Sequence, residues 1–306
     1  MALKAIPDYS GLAVALKAPG VSAVFIDAPT EAEYPIIAKQ LVEACGKDLD
    51  PARIHFISAN PLNDVDYIIR SDLFSNYIQR SACDPQEAGE VYGRLMRASR
   101  AAAHATVDAS SASHRLLGDG ATIEMLKPDL STEKQTAIER VSDFLAGHGF
   151  PTRIANRIAT ATDELLMNAI FDAPVDETGQ VIYKHTSRAA EIKLEGRHAV
   201  QLLMGFDGKF AAVSVIDRFG SLQKHLLTDK ISRTYKDNAY QISNSSAGAG
   251  LGVFTVFHSG VSLTYFTQPD VRTESIIFFK KTDSVREFKE QFHFLSLILR
   301  QDRKKG

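Results

Sequence analysis

The sequence predicts an α/β protein built from two domains. Its 306 residues correspond to about two domains of the usual size. With 44% apolar and 24% charged residues, the chain has an ordinary globular composition. Short β-rich runs alternate with helical patterns along most of its length. We expect a small α/β domain with a helical linker over 1–118, a second domain over 119–282, and a C-terminal amphipathic helix over 283–306.

Composition and charge narrow the class of protein. No stretch reaches the roughly 18–20 uninterrupted apolar residues of a membrane-spanning helix, and the first residues lack the apolar region of a secretory signal. The two cysteines, Cys45 and Cys83, do not make a disulfide framework. A net charge of −2 gives no global attraction for nucleic acid. These features predict a cytoplasmic protein without a membrane or nucleic-acid partner.

The first half shows the alternation of strands and helices most simply. The expected elements are a strand over 21–27, a helix ending near Gly46, a strand over 53–58, and mainly helical structure over 65–80 and 85–117. The helix before Gly46 has Ile36, Ile37, Leu41 and Val42 at the spacing of one buried face. Asp27, at a strand end, gives this half a faint likeness to receiver and other small signalling domains. It is expected to sense a signal or bind a partner.

The second half shows a clearer succession of predicted strands and helices. Its expected elements are a strand over 121–126, helices over 131–145 and 151–173, strands over 190–194, 199–205 and 210–216, a polar stretch over 223–249, a short helix from 251, and strands over 261–267 and 275–280. Residues 284–303 carry apolar side chains at helical spacing. This stripe is expected to pack on the protein's own body, with a dimer or partner surface as the alternative.

Two residues on one predicted helix carry a chemical signal. Glu164 and Asn168 are four residues apart, so they project from the same helical face. The amide oxygen of asparagine is a hard, neutral ligand for Mg²⁺, and a neighbouring carboxylate can deprotonate an attacking hydroxyl. The pair therefore indicates a magnesium-nucleotide site, although a Glu/Asn pair of this kind is also common on ordinary helix surfaces.

A glycine-rich run supplies the second signal. Gly248, Gly250 and Gly252 alternate with Ala249 and Leu251 directly before a predicted helix. Glycines at a helix start let the backbone approach a phosphate, and the free N–H groups supply positive potential. By itself the run is equally typical of a surface loop.

The order of these features resembles the GHKL ATP-binding family, which includes histidine kinases, gyrase-type ATPases and bacterial anti-sigma-factor kinases. The stretch from Glu164 to Ala169 is similar to that family's Glu-x-x-x-Asn-Ala helix. The resemblance implies that Asn168 holds Mg²⁺, that Glu164 is the general base, and that Asp217 accepts the adenine amino group. It covers about residues 120–282, and its layout is most similar to the anti-sigma-factor serine kinases.

The same resemblance implies further ligand contacts and a fold. Gly248, Gly250, Leu251 and Gly252 would lie under the phosphates, and Gly220 would follow the adenine-binding aspartate. Either Thr273 or Ser275 would supply a hydroxyl near the adenine, with 223–249 as a lid over the nucleotide. The implied fold is an α/β sandwich whose mixed sheet carries helices on one face.

The sequence departs from the family pattern at two positions beside the implied ligand. Phe219 stands where the family usually has glycine, which comes one residue later at Gly220. Asp172 stands where many members carry a basic or polar residue facing the phosphates. An added negative charge beside a triphosphate is unfavourable unless another charge offsets it.

The resulting functional expectation is a cytoplasmic signal-transduction regulator that binds ATP and Mg²⁺. It would act on a regulatory protein partner, as a serine/threonine kinase or an anti-sigma-type regulator, and a homodimer is compatible with the family. The alternative is a non-catalytic interaction module of the same fold with weak or no nucleotide binding. A histidine kinase with an unusual acceptor, His104 or His114, is the third interpretation.

Overall fold

A computed structural model of the chain describes residues 11–18, 23–27, 30–46, 51–58, 66–69, 71–79, 85–104, 111–229, 261–291 and 293–299. The chain divides into two compact units, Met1–Arg80 and Ser81–Gly306. None of the helices within these described ranges is both long and apolar enough to cross a membrane.

The first unit contains a parallel sheet. Its elements are α1 (Leu12–Lys17), β1 (Val24–Asp27), α2 (Tyr34–Cys45), β2 (Ile54–Ser58), α3 (Asp66–Ile69) and β3 (Asn76–Gln79). The strands lie in the order β1-β2-β3, with Asp27 opposite Ile57 and Ser58 opposite Gln79. The three carboxyl ends therefore share one edge of this sheet.

Helix α2 buries a narrower face than the sequence indicates. Ile37 and Leu41, four residues apart, are fully buried. Ile36 and Val42, expected on the same buried face, are instead 60% and 51% exposed. The expectation was wrong for these two because residues one position apart point about 100° away from each other on a helix.

The second unit holds the residues of the resemblance. Its elements are α4 (Pro85–His104), α5 (Ala112–Leu116), β4 (Thr122–Leu126), α6 (Lys134–Gly147), α7 (Thr152–Met167), β5 (Gln201–Phe206), β6 (Phe210–Asp217), β7 (Ser262–Gln268), β8 (Arg272–Lys280), α8 (Val285–Glu290) and β9 (His293–Leu299). Residues 224–229 are also helical. The α/β class is confirmed.

Six described strands of this unit form a mixed sheet in the order β9-β7-β8-β6-β5-β4. Strands β7 and β9 pair in parallel, and the other neighbours are antiparallel. In the central β6–β8 pair, Asp217 lies opposite Thr273 and Ile216 lies opposite Glu274. Since side chains alternate between faces, Asp217 and Thr273 share one face, while Glu274 points to the other.

Helices cover both faces of this sheet. On one face, α6 packs on α7, and α7 contacts β6 and β8. On the other face, the Glu274 carboxylate accepts hydrogen bonds from the backbone N–H groups of Ala112 (2.8 Å) and Ser113 (3.1 Å) at the start of α5. This second helical layer was not expected, because the implied sandwich carries helices on one face.

An ion-pair network fixes α4 to the same sheet. Arg94, buried on α4, donates to Asp207 Oδ2 at 2.5 Å and to the Leu116 carbonyl oxygen at 3.0 Å. Its guanidinium carbon lies 4.6 Å from the centroid of the Phe210 ring. Helices α4 and α5, which the sequence assigned to the first domain, therefore belong to the second compact unit.

Three expected elements differ in the structure. Residues 65–80, expected to be mainly helical, contain β3, and 190–194 hold only an isolated bridge from Lys193 to Leu130 in place of a strand. The expected single helix over 284–303 is wrong beyond α8, since residues 293–299 form β9. Its apolar residues Phe288 and Leu295 are buried, so that stripe packs on the protein's own body.

Candidate functional site

Helix α7 carries the first two predicted site residues at its C-terminal end. Its buried face, which includes Ile154, Ile158 and Leu165, packs towards the sheet and turns Glu164 and Asn168 outward. Both are half-buried, and neither side chain has a hydrogen-bond partner among the described residues. Their oxygen atoms are therefore available to an external ligand.

The helix widens where Asn168 stands. Residues Asn168–Asp172 form a π-helical turn, in which the Ala173 N–H group donates to the Asn168 carbonyl oxygen at 2.7 Å. Such turns are rare and often occur at functional sites. The wider turn changes the direction of the side chains that follow Asn168, including that of Asp172.

The surroundings of Glu164 favour its protonated form. Burial raises the pKa of this carboxyl group, and the negative charges of Asp163 and Asp172 raise it further. The positive charges of Lys134 and Arg188 oppose this increase without cancelling it. A general base works best when its pKa approaches the working pH, so the direction suits proton abstraction.

Asp172 is paired across the site with an arginine that the sequence did not single out. Arg188 Nη2 donates to Asp172 Oδ1 at 2.7 Å, and the guanidinium carbon lies 4.9 Å from the centroid of the Phe171 ring. The second carboxylate oxygen, Asp172 Oδ2, is buried and makes no hydrogen bond within the described structure. The negative charge at position 172 is thus offset by a cation from a distant segment.

Asp217 lies at the end of β6 and organises the turn that follows. Its Oδ1 accepts hydrogen bonds from the backbone N–H groups of Phe219 (2.8 Å) and Gly220 (3.1 Å). Burial raises the pKa of Asp217 to about 6, against these amide groups and Thr273, which lower it. Burial is the largest cause of this shift.

Thr273 adjoins Asp217 on the same face of the sheet. Its hydroxyl group lies near enough to stabilise the Asp217 carboxylate, but it makes no hydrogen bond of ordinary geometry among the described residues. Ser275, the alternative hydroxyl, lies two residues further along β8, opposite Val215. The register therefore brings Thr273, and not Ser275, beside Asp217.

Phe219 packs into an aromatic cluster. Its side chain is buried; its ring centroid lies 5.1 Å from that of His198, and the Arg197 guanidinium carbon lies 4.7 Å from the ring. Through His198 the cluster continues to Tyr183 and then to Phe171 beside Asp172. The ring thus anchors the segment that carries Arg188 and Arg197.

The segment after α7 is joined to the segment after β6 by a hydrogen bond. The Ser221 hydroxyl group donates to the Ala173 carbonyl oxygen at 2.7 Å. This bond and the aromatic cluster bring the Asn168–Asp172 turn and the Asp217 turn to one side of the unit. The segment that carries Glu164 and Asn168 and the turn after Asp217 therefore belong to neighbouring elements, with Gly220 and Thr273 next to Asp217.

The close approach at Gly220 requires glycine. The backbone φ is +60°, and a Cβ atom there would lie 2.1 Å from the Gln268 carbonyl oxygen and 2.9 Å from the backbone nitrogen atoms of Val271 and Arg272. Both the left-handed conformation and the contact exclude a larger residue. Gly220 thus packs the Asp217 turn against the β7–β8 connection.

We expect Gly220→Ala to lower the free energy of unfolding by more than about 3 kcal/mol, because backbone atoms must move to admit the methyl group. Gly208→Ala is the matched control, since φ is +91° there but no atom lies within 4 Å of a Cβ. That control should cost about 1 kcal/mol. Chemical denaturation of both variants measures the difference, and equal losses would show that the contact at Gly220 is unimportant.

Part of the implied phosphate site lies outside the described residues. This applies to Gly248, Gly250, Leu251 and Gly252, and to the lid beyond residue 229. Among the described residues, no cluster of three or more His, Cys, Asp or Glu side chains is arranged to hold a metal ion.

Comparison with known proteins adds no assignment: no family model matches the chain, and no curated protein matches its sequence.

The residues that are present fit a magnesium nucleotide in their chemistry. Asn168 and Glu164 offer partially exposed oxygen atoms, the donor type that Mg²⁺ prefers. Asp217 offers a buried carboxylate, and Thr273 a buried hydroxyl group without a hydrogen bond of its own. Sequence reasoning missed Arg188, whose only sequence signal is a basic residue in a segment that precedes β5.

Proposed function

We propose that this chain is a cytoplasmic regulator that binds Mg-ATP in the second unit and transfers the terminal phosphoryl group to a hydroxyl group of a partner protein. The observation that carries the proposal is an element contact: α7 and its extension, which carry Glu164 and Asn168 without hydrogen-bond partners among the described residues, contact β6, which ends in the buried Asp217 opposite Thr273. The GHKL resemblance supports the nucleotide site, and the low cysteine count supports only the cytoplasmic location.

Each residue has a distinct part in this proposal. The ionised Asp217 accepts a hydrogen bond from the adenine amino group, and the Thr273 hydroxyl supports the same base. Asn168 supplies a neutral oxygen ligand to Mg²⁺, which neutralises phosphate charge when bound. Glu164 accepts the proton of the attacking hydroxyl, and its raised pKa favours that transfer. The glycine element from Gly248 to Gly252 stays a prediction from the sequence.

The test is calorimetric titration with ATP, with and without Mg²⁺. We expect magnesium to strengthen ATP binding by the wild-type protein. In Asn168→Ala the affinity for ATP in the presence of Mg²⁺ should be roughly tenfold weaker than in the wild type, because a metal ligand is removed. Glu164→Ala is the matched control: it should retain magnesium-dependent binding and lose phosphoryl transfer from labelled ATP. Absence of wild-type binding up to millimolar ATP would contradict the proposal and favour a non-catalytic interaction module.

A further inference from the structure

Arg188 is held in one orientation by two neighbours. Asp172 Oδ1 accepts from its Nη2 at 2.7 Å, and the Phe171 ring lies under the guanidinium group at 4.9 Å. Both neighbours belong to the turn that begins at Asn168. A residue from a separate segment is therefore fixed on the turn that begins at the proposed metal ligand, Asn168.

Most N–H donors of the Arg188 guanidinium group are not used by the bond to Asp172. A guanidinium group has five N–H donors in a planar fork, and the bond to Asp172 uses one of them. The side chain is 43% exposed, so its other donors are accessible to a ligand. This geometry suits bidentate recognition of a phosphate group, for which arginine is especially well shaped.

The local charge makes a cation necessary here if a triphosphate binds. Three carboxyl groups lie on α7 and its extension: Asp163 and Glu164 on one turn of the helix, and Asp172 about two turns later. Lys134 is already paired with Asp163. The positive charge of Arg188 acts on Glu164 as well as on Asp172, which places it within electrostatic reach of the Glu164–Asn168 pair.

We propose that Arg188 is a phosphate-contacting residue of this site, held by Asp172 and Phe171 so that its free donors bind the terminal phosphates of the nucleotide. The inference rests on the proposed function, since it assigns a residue to that same ligand. It also gives Asp172 a role: the carboxylate orients the arginine. A simpler role for Arg188, neutralising Asp172 without contacting the ligand, makes a different prediction for a double variant.

The experiment compares the affinity of ATP and of adenosine, each in the presence of Mg²⁺, for four full-length proteins. They are the wild type, Arg188→Ala, the double variant Arg188→Ala/Asp172→Asn, and Arg286→Ala. Arg286 is the control because it also pairs with a carboxylate, that of Glu290, but lies on α8 with a side chain that is 85% exposed. Thermal denaturation of each protein provides the second readout.

We expect Arg188→Ala to weaken ATP binding roughly ten- to hundredfold, the range for losing charge-assisted hydrogen bonds, while adenosine binds as to the wild type. The double variant should stay weak for ATP, because removing Asp172 does not restore a phosphate contact. Arg286→Ala should bind both ligands like the wild type. All four proteins should melt within a few degrees of one another, because the exchanged residues are at least partly exposed.

Either of two results for ATP affinity would overturn the inference alone. One is wild-type ATP affinity in Arg188→Ala; the other is full recovery in the double variant, which would mean that Arg188 acts only by neutralising Asp172. An equal loss of ATP and adenosine binding would also overturn it, since the phosphate contact would not be specific. If the wild type binds neither ligand, the proposed function fails first, and the inference fails with it.

Discussion

Replacement of Asp217 by asparagine should abolish most of the affinity for ATP and leave the protein folded. Asparagine keeps an oxygen atom that can accept from the Phe219 and Gly220 N–H groups, so the turn after β6 is preserved. The second oxygen becomes an NH₂ group, which opposes the adenine amino group with another donor. We expect an affinity loss of roughly a hundredfold or more, measured by calorimetric titration.

The same variant should be more stable than the wild type at neutral pH. Because burial raises the pKa of Asp217 to about 6 from an unfolded value of 3.8, ionisation opposes folding. This destabilisation is absent below about pH 4 and grows until the pH exceeds 6. We therefore expect Asp217→Asn to gain about 2–3 kcal/mol of unfolding free energy at pH 7, and less as the pH falls.

ATP binding by the wild type should show the matching pH dependence. In the proposed site the ionised carboxylate is the stronger acceptor for the adenine amino group, because protonation places a hydrogen atom on one of its two oxygens. Affinity should therefore fall as the pH decreases below about 6. Asp217→Asn serves as the control, since its residual binding should not follow that curve. Unchanged ATP affinity in this variant would remove Asp217 from adenine recognition, whatever its effect on stability.

The local part of this site was predictable from the sequence because it depends on periodicity. Glu164 and Asn168 lie on one helical turn, and the apolar residues between them set the buried face. The pairing of Arg188 with Asp172 spans 16 positions and an irregular segment, so no local pattern indicates it. Similarly, the choice between Thr273 and Ser275 required the register of β6 with β8.

Two of the expected elements that were wrong share one cause. The run His293–Leu299 is mostly apolar, and such a run fits a helix or a buried strand equally well. This run forms a strand because it pairs with β7, where Leu295 lies opposite Leu263. In the same way, β3 exists because it pairs with β2. Tertiary pairing determined these elements, whereas the helices around Glu164 followed from their own sequence.

A second aspartate, ten residues before Asp217, should respond to substitution in the opposite direction. Asp207 Oδ2 accepts from Arg94 and from the Gly118 N–H group, while its Oδ1 accepts from the N–H groups of Lys209 and Phe210. Burial acts to raise the pKa of Asp207, but these hydrogen bonds outweigh it and lower the pKa below 3.8. The ionised form therefore stabilises the fold.

Replacing Asp207 by asparagine should destabilise the second unit by about 3 kcal/mol. In either orientation of the amide, one NH₂ group faces donors, and Arg94 loses the more buried of its two carboxylate partners among the described residues, keeping Glu90. Because the folded pKa is depressed, the wild type's advantage is present above about pH 4 and is lost as the pH falls through the lower folded value. Urea denaturation of Asp207→Asn and Asp217→Asn at pH 7 and pH 4 measures the change in unfolding free energy for the same Asp→Asn exchange at two sites. The change should be a loss for Asp207→Asn and a gain for Asp217→Asn. A loss below about 1 kcal/mol for Asp207→Asn would mean that the ion pair with Arg94 does not hold α4 on the sheet. The hydrogen bonds from the N–H groups of Gly118, Lys209 and Phe210 would then account for the role of this carboxylate.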